Sequence, residues 1–274
     1  MQKKEMSFLG HVGELRGHLI RSLIAVIIGA IIVWNFLPWI MDNIFFGPTR
    51  SDFITFKLIN EYSLKWTGAT AIELPDEFPI RVQKLYQQFN VAFMISFFGG
   101  MVLALPYIVW EIWRFIAPGL HPNERKNSAA FINAVWIFFI MGALVGYFLI
   151  LPFAINFAVL FKISDIIQPL YDLSDYSALF FQIVLGMGIV FLFPLIIYFL
   201  TSIGIVTPTF LKTYRRHAIV VIMVLAAIIT PADIVSMMIA AVPLLLLYEF
   251  SILLSKRTYK IVQKRALEEL QKSR

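Results

Sequence analysis

Two uncharged apolar runs, Leu85–Trp110 and Asn127–Phe161, flank a short polar elbow, FIAPGLHPNERK, at Phe115–Lys126. A helix needs about 20 apolar residues to cross the hydrocarbon core of a bilayer. Both runs exceed that length, so the chain spans a membrane and the elbow is a tight turn at one membrane face. The composition agrees: 59% of residues are hydrophobic and 15% charged, against roughly 45–50% and roughly 25% in soluble domains. Inside the elbow an acid, Glu124, stands beside Arg125 and Lys126.

Hydropathy along the chain predicts an all-α polytopic membrane protein with six transmembrane helices. The expected spans are about 22–41, 87–113, 123–151, 177–203, 217–231 and 235–254, within a single membrane domain over 1–254. Before the first span, Phe8, Leu9, Val12, Leu15 and Leu19 recur at helical steps, which predicts a helix lying along the membrane surface. Trp34 and Trp39 suit an interfacial belt at the far end of that span. The longest outer loop, 42–84, contains FITFKLIN and a segment at 66–74 that alternate enough for short strands, with Pro75 and Pro79 bracketing an acidic turn. Pro122 and Asn123 suit the start of span three, and Pro152 marks a bend or stop before a second outer loop at 153–175. Pro194 falls inside span four, and Gly204–Pro208 closes it. The last two runs are short, at roughly 22–24 Å, and are split by Thr230-Pro231-Ala232-Asp233. The basic tail, 255–274, extends the last helix.

Charge placement sets the orientation. Seventeen of the 23 lysines and arginines fall on the side of the N-terminal arm, the elbow, Lys212–Arg216 and the tail. The positive-inside rule makes that side, with both termini, cytoplasmic. The net charge of +6 is thereby accounted for by topology and anionic lipid, and no nucleic-acid partner is needed. With no cysteine there is no disulfide and no thiolate chemistry. The histidines are scattered without metal-ligand spacing, and no nucleophile motif or phosphate loop occurs.

Glu14, in HVGELR, reads by position as a solvated acid, and Glu124 as an acid favoured in a first helical turn. Together they make a sharper pair. Both stand on the basic side, where a binder of basic peptides would place carboxylates to form charge-assisted bonds to guanidinium groups. Phe115 would take an adjoining apolar side chain. Asp233 is equally well read as a helix cap. Glu249 reads as an interfacial acid near Lys256 or Arg257, and Glu111 as the i, i+3 partner of Arg114. Gln182, the strongly polar residue in the middle of span four, reads as helix–helix glue or as part of a polar path.

FLGHVGELRGHLIR, Pro48, LPYIVWEIWRFIAPGLHPNERK, YFLILPFAINF, GIVFLFP with the following GIVTP, and TPADIVS followed by AVPLLLLYE occur in the order seen in TatC subunits of the twin-arginine translocase. The chain resembles that family from Phe8 to about Tyr259. The resemblance implies a six-helix receptor in the bacterial cytoplasmic (inner) membrane that binds twin-arginine signal peptides of folded cargo at the cytoplasmic face. Glu14 and Glu124 match the acids that engage the arginines, and Leu15, Arg16, Phe115, Pro118 and Arg125 the surrounding surface. Pro48 and Asp233 match functional periplasmic positions. The implied partners are TatA- and TatB-type single-span subunits and further copies of the chain. Transport would draw on the proton-motive force, with no cofactor, metal or catalytic residue.

The sequence departs from the family pattern in places. His18 stands where a second arginine is usual, Leu192 where many members carry a glutamate, and Met237 where glutamine is common. A partner helix would then use other polar groups, Gln182 or Thr230. A small-solute secondary transporter or channel is the competing reading. It predicts buried ionisable groups or paired broken helices, and neither is visible. An intramembrane enzyme would need a nucleophile or metal pair within the spans, and none is found.

Overall fold

The structure is a computed structural model, and it describes residues 8–68, 80–116, 128–164, 166, 170–231 and 233–272. Helices dominate. Among the described residues, five are long and apolar enough to cross a membrane, over Gly13–Asn35, Gln87–Ile116, Ala130–Leu160, Leu173–Ser202 and Ile234–Lys264. A sixth apolar helix, Arg215–Ile229, has 15 residues. By contacts the chain falls into two compact units, 1–45 with 82–137 and 46–81 with 138–274.

The first unit is built on α1, Phe8–Asn35, and α4, Gln87–Ile116. They run antiparallel: Trp34 meets Phe89 at one end, and Arg21 meets Glu111 toward the other. The backbones touch where they cross. A Cβ on Gly29 would lie 2.6 Å from the Gly100 carbonyl oxygen, and one on Gly100 would lie 2.3 Å from the Ala30 nitrogen. Lipid supplies no hydrophobic drive between helices, so association relies on such small-residue approach and on polar pairs. The expected surface helix is absent as a separate element. α1 runs unbroken from the arm into the span, because no proline or glycine turn interrupts its apolar periodicity. It ends in the short α2, Leu37–Ile40, and a wide π turn at Met41–Phe45.

In the second unit a 3₁₀ turn, Gly47–Thr49, leads to α3, Ile54–Thr67. FITFKLIN is therefore helical rather than a strand. Helical spacing lets Phe53 meet Phe56 while Phe53 also packs on Tyr147 and Phe148, a cluster that alternation would pull apart. Gly68, at φ 73°, ends α3 in the left-handed region. The expected strand at 66–74 begins inside α3, and its remainder after Gly68, like the turn at Pro75 and Pro79, lies outside the described residues. Among the described residues the strands are β1, Ile80–Arg81, and β2, Tyr171–Asp172, paired in parallel.

Span three comprises α5, Ser128–Val145, a π turn at Gly146–Ile150, and α6, Leu151–Leu160. Pro152 neither stops nor ends it. The proline sits in the first turn of α6, where the preceding π turn absorbs its missing donor, and the second outer loop begins only after Leu160. α7, Leu173–Val190, breaks at Phe191–Leu192 ahead of Pro194 and resumes as α8, Phe193–Ser202. Gly142 and Gly146 admit α7: a Cβ on Gly142 would lie 2.5 Å from the Met187 carbonyl oxygen.

Gly204, at φ 79°, turns the chain into α9, Pro208–Thr213, whose first turn is capped by Thr207 accepting from Phe210 N–H. α10 is Arg215–Ile229, and α11 runs for 39 residues, Ile234–Lys272. The basic tail is thus helical to Lys272, continuous with the last apolar run. A hydroxyl-bearing stripe seats α11 on α8: Thr201 Oγ1 and Ser255 Oγ share a hydrogen bond of 3.0 Å, and both are fully buried.

Candidate functional site

The polar centre of the first unit is Glu111. It is 0% exposed although it lies near the end of a membrane helix. Arg21, from α1, donates to it twice, Nε to Oε1 at 3.0 Å and Nη2 to Oε2 at 2.9 Å. His18 Nδ1 donates to Oε2, and Arg114 Nη1 lies 3.8 Å from Oε1. Arg114 also lies over the Trp110 ring at 4.8 Å. A lone carboxylate so placed costs several kcal/mol. The two-pronged guanidinium supplies charge and directed donors together. The local pair with Arg114 exists, but it is the longest of these contacts; the principal partners stand about 90 residues back in sequence.

Of the expected recognition residues, those described lie around this lock. His18 is edge-on to Phe115, ring centroids 5.9 Å apart. Glu14 lies one helical turn before His18, and Glu14, Leu15 and Arg16 are all exposed. The start of α1 is therefore held beside the end of α4. Pro118, Glu124 and Arg125 lie outside the described residues. His18, expected above as a departure from the arginine pattern, bonds Glu111 through its ring and packs on Phe115.

The remaining candidates lie in the second unit. Pro48 is buried in the Gly47–Thr49 turn. Asp233 is 4% exposed and caps α11, Oδ1 accepting from Ser236 N–H at 2.6 Å, as the capping reading expected. Gln182 is exposed on α7 and its amide donates to the Ile228 carbonyl near the end of α10, the glue reading. Thr230 is 2% exposed and donates to Ala226 O, so its hydroxyl is engaged internally. Glu249 is not paired with Lys256 or Arg257; it accepts from Arg215 Nη2 at 2.8 Å, across from α11 to α10. Sequence reasoning missed the Glu111–Arg21 pair. The available signal was one acid and one base at matching depths on two neighbouring apolar helices.

The family model for Sec-independent protein translocase protein (TatC) matches residues 10–243. The chain belongs to the TatC family. The TatC protein of Blattabacterium sp. subsp. Periplaneta americana is 43% identical over 256 residues, covering 93% of this chain and 96% of that protein. That of Halalkalibacterium halodurans is 35% identical over 271 residues, covering 98% and 96%. The crystal structure of the twin arginine translocase receptor TatC superposes with a TM-score of 0.66 at 30% identity, covering 90% of this chain and 99% of that one. The protein is thus a multi-pass TatC subunit of the Sec-independent protein translocase in the bacterial inner membrane, with the six-helix fold of that family. The reading as a small-solute carrier gives way to it.

Proposed function

We propose that this TatC binds twin-arginine signal peptides of folded cargo on the rim formed by the start of α1 and the elbow after α4. Glu14 and Glu124 act as the two guanidinium acceptors, with Leu15, Arg16, Phe115, Pro118 and Arg125 around them. The supporting observation is the Glu111 lock, which fixes the α1 turn preceding His18 beside Phe115. Preorganisation of this kind lowers the ordering cost of binding. Both termini are cytoplasmic in this reading, from the placement of lysine and arginine.

TatA- and TatB-type single-span helices dock at Gln182, the polar side chain exposed on α7, with Thr230 behind it supporting the end of α10. Leu192 and Met237, each half-buried, supply only apolar contact there. Pro48 and Asp233 hold the opposite, periplasmic surface in shape for transport. Further copies of the chain join the same complex, and transport draws on the proton-motive force without catalysis, cofactor or nucleic acid.

The test is binding of a synthetic signal peptide carrying Arg-Arg against the same peptide carrying Lys-Lys. Arginine should win, and Glu14→Ala and Glu124→Ala should each weaken binding. Equal affinity for both peptides, or ion conductance without cargo, would remove the receptor reading of these sites.

A further inference from the structure

The second unit contains a cavity of about 380 Å³ between α7–α8 and α9–α11. That volume lies in the range of small-ligand sites, about 300–1,000 Å³. The walls are hydrocarbon: Phe193, Val221, Leu244 and Leu247 line it, with Tyr214 and His217 at the end where α10 begins. It opens at the apolar surface, where Val221 is 56% exposed. α10 is part of the cause. With 15 residues it reaches about 22 Å, short of a hydrocarbon core of about 30 Å, so the lipid-facing surface is notched beside it.

Two lysines stand at the α10-start end of this notch. Lys212 follows Leu211, which lines the cavity, and Lys256 follows Ser255, whose hydroxyl meets Thr201 of α8. Both side chains are exposed, and among the described residues neither has an acidic partner. The nearby acid Glu249 is already taken by Arg215 at 2.8 Å. Two lysines without acidic partners beside an apolar cavity suit an anionic headgroup. The junction is tied in place, since Tyr248 donates its hydroxyl to Leu211 O at 2.7 Å.

We infer that the second unit binds one anionic phospholipid, its phosphate shared by Lys212 and Lys256 and an acyl chain lying in the cavity. Neither half explains the other alone. A neutral lipid would leave the two lysines without an anion, and a free phosphate would leave the apolar cavity unfilled. Basic pockets between membrane helices hold lipid headgroups in this way, and Tyr214 and His217 have the amphipathic character favoured at headgroup depth. The bound chain would fill the notch and brace the short α10.

The full chain, purified in detergent and stripped of lipid, would be titrated by native mass spectrometry with phosphatidylglycerol and with phosphatidylcholine of the same acyl chains. Phosphatidylglycerol should bind about tenfold more tightly. In the double variant Lys212→Gln/Lys256→Gln that preference should vanish, while Val221→Phe should weaken both lipids alike by filling the cavity. Millimolar inorganic phosphate should not displace the lipid. Equal affinity for the two lipids, a preference that survives the double variant, or displacement by phosphate alone would each overturn the inference. So would stoichiometric displacement by a single-span helix peptide, which would give the cavity to a protein partner. Thermal unfolding of each variant reports folding, and Ala218→Leu replaces Val221→Phe should the latter fail to fold. Signal-peptide binding is not part of this readout, so the two proposals fail separately.

Discussion

Arg21 grips Glu111 through two parallel hydrogen bonds of 3.0 and 2.9 Å, joining helices whose partners lie 90 residues apart. The carboxylate is fully buried, while the side chain of Arg21 keeps 43% of its surface exposed. The arginine thus bridges a buried helix interface and the membrane rim. Arg21→Ala strands the acid with His18 and the more distant Arg114. Removing one partner of a buried pair costs about 3–5 kcal/mol, and the remaining partners hold this case near the lower end. Thermal unfolding in detergent should show the loss, and Glu111→Ala/Arg21→Ala should be less unstable than Arg21→Ala.

His18→Ala removes both a bond to Glu111 and the edge contact with Phe115. If His18 positions the Glu14 turn, affinity for an Arg-Arg peptide falls several-fold although the peptide-facing acids are intact. His18→Arg, which supplies the arginine that the resemblance implies, should recover it. A peptide-binding titration on the three proteins decides the point. Loss in both variants would mean that the histidine itself contacts the ligand.

Gly100→Ala inserts a methyl group 2.3 Å from the Ala30 nitrogen, where only backbone could move. Overpacking of this kind costs about 1–3 kcal/mol or more. The variant should melt earlier than wild type, and cysteines placed at Val33 and Gly99 should crosslink less efficiently when it is present.

Gln182→Leu frees the Ile228 carbonyl. Interhelical hydrogen bonds in membranes average about 0.6 kcal/mol, so stability should barely change. Partner recruitment should change more. A photocrosslinker at position 182 is expected to capture a TatA- or TatB-type subunit, and export should decline in the leucine variant.

Asp233→Ala loses the α11 cap and about 1 kcal/mol with it, whereas Asp233→Asn retains an acceptor for Ser236 N–H. Export restored by asparagine would assign Asp233 a structural role; export lost in both, with asparagine thermally stable, would assign the charge itself a role.

The spans could be read from the chain because insertion into lipid is judged locally: a run of apolar residues long enough to cross carries its own answer, and nearby lysines and arginines set an expected direction. The same holds for the Asp233 cap, which depends on a neighbour three residues away. What local pattern could not supply was any partner distant in sequence. FITFKLIN alternates like a strand, yet Phe53 meets Tyr147 and Phe148 from span three and the segment folds as a helix. Pro152 reads as a stop until the π turn before it absorbs the missing donor. Glu111 and Glu249 each have basic neighbours in sequence, and each is claimed chiefly by an arginine from another helix. Sequence alone determined which segments enter the membrane, because that choice rests on transfer of each segment from water to lipid. Tertiary structure alone decided which charges meet inside it, because in lipid a buried carboxylate is held by whichever guanidinium the helix packing brings within reach.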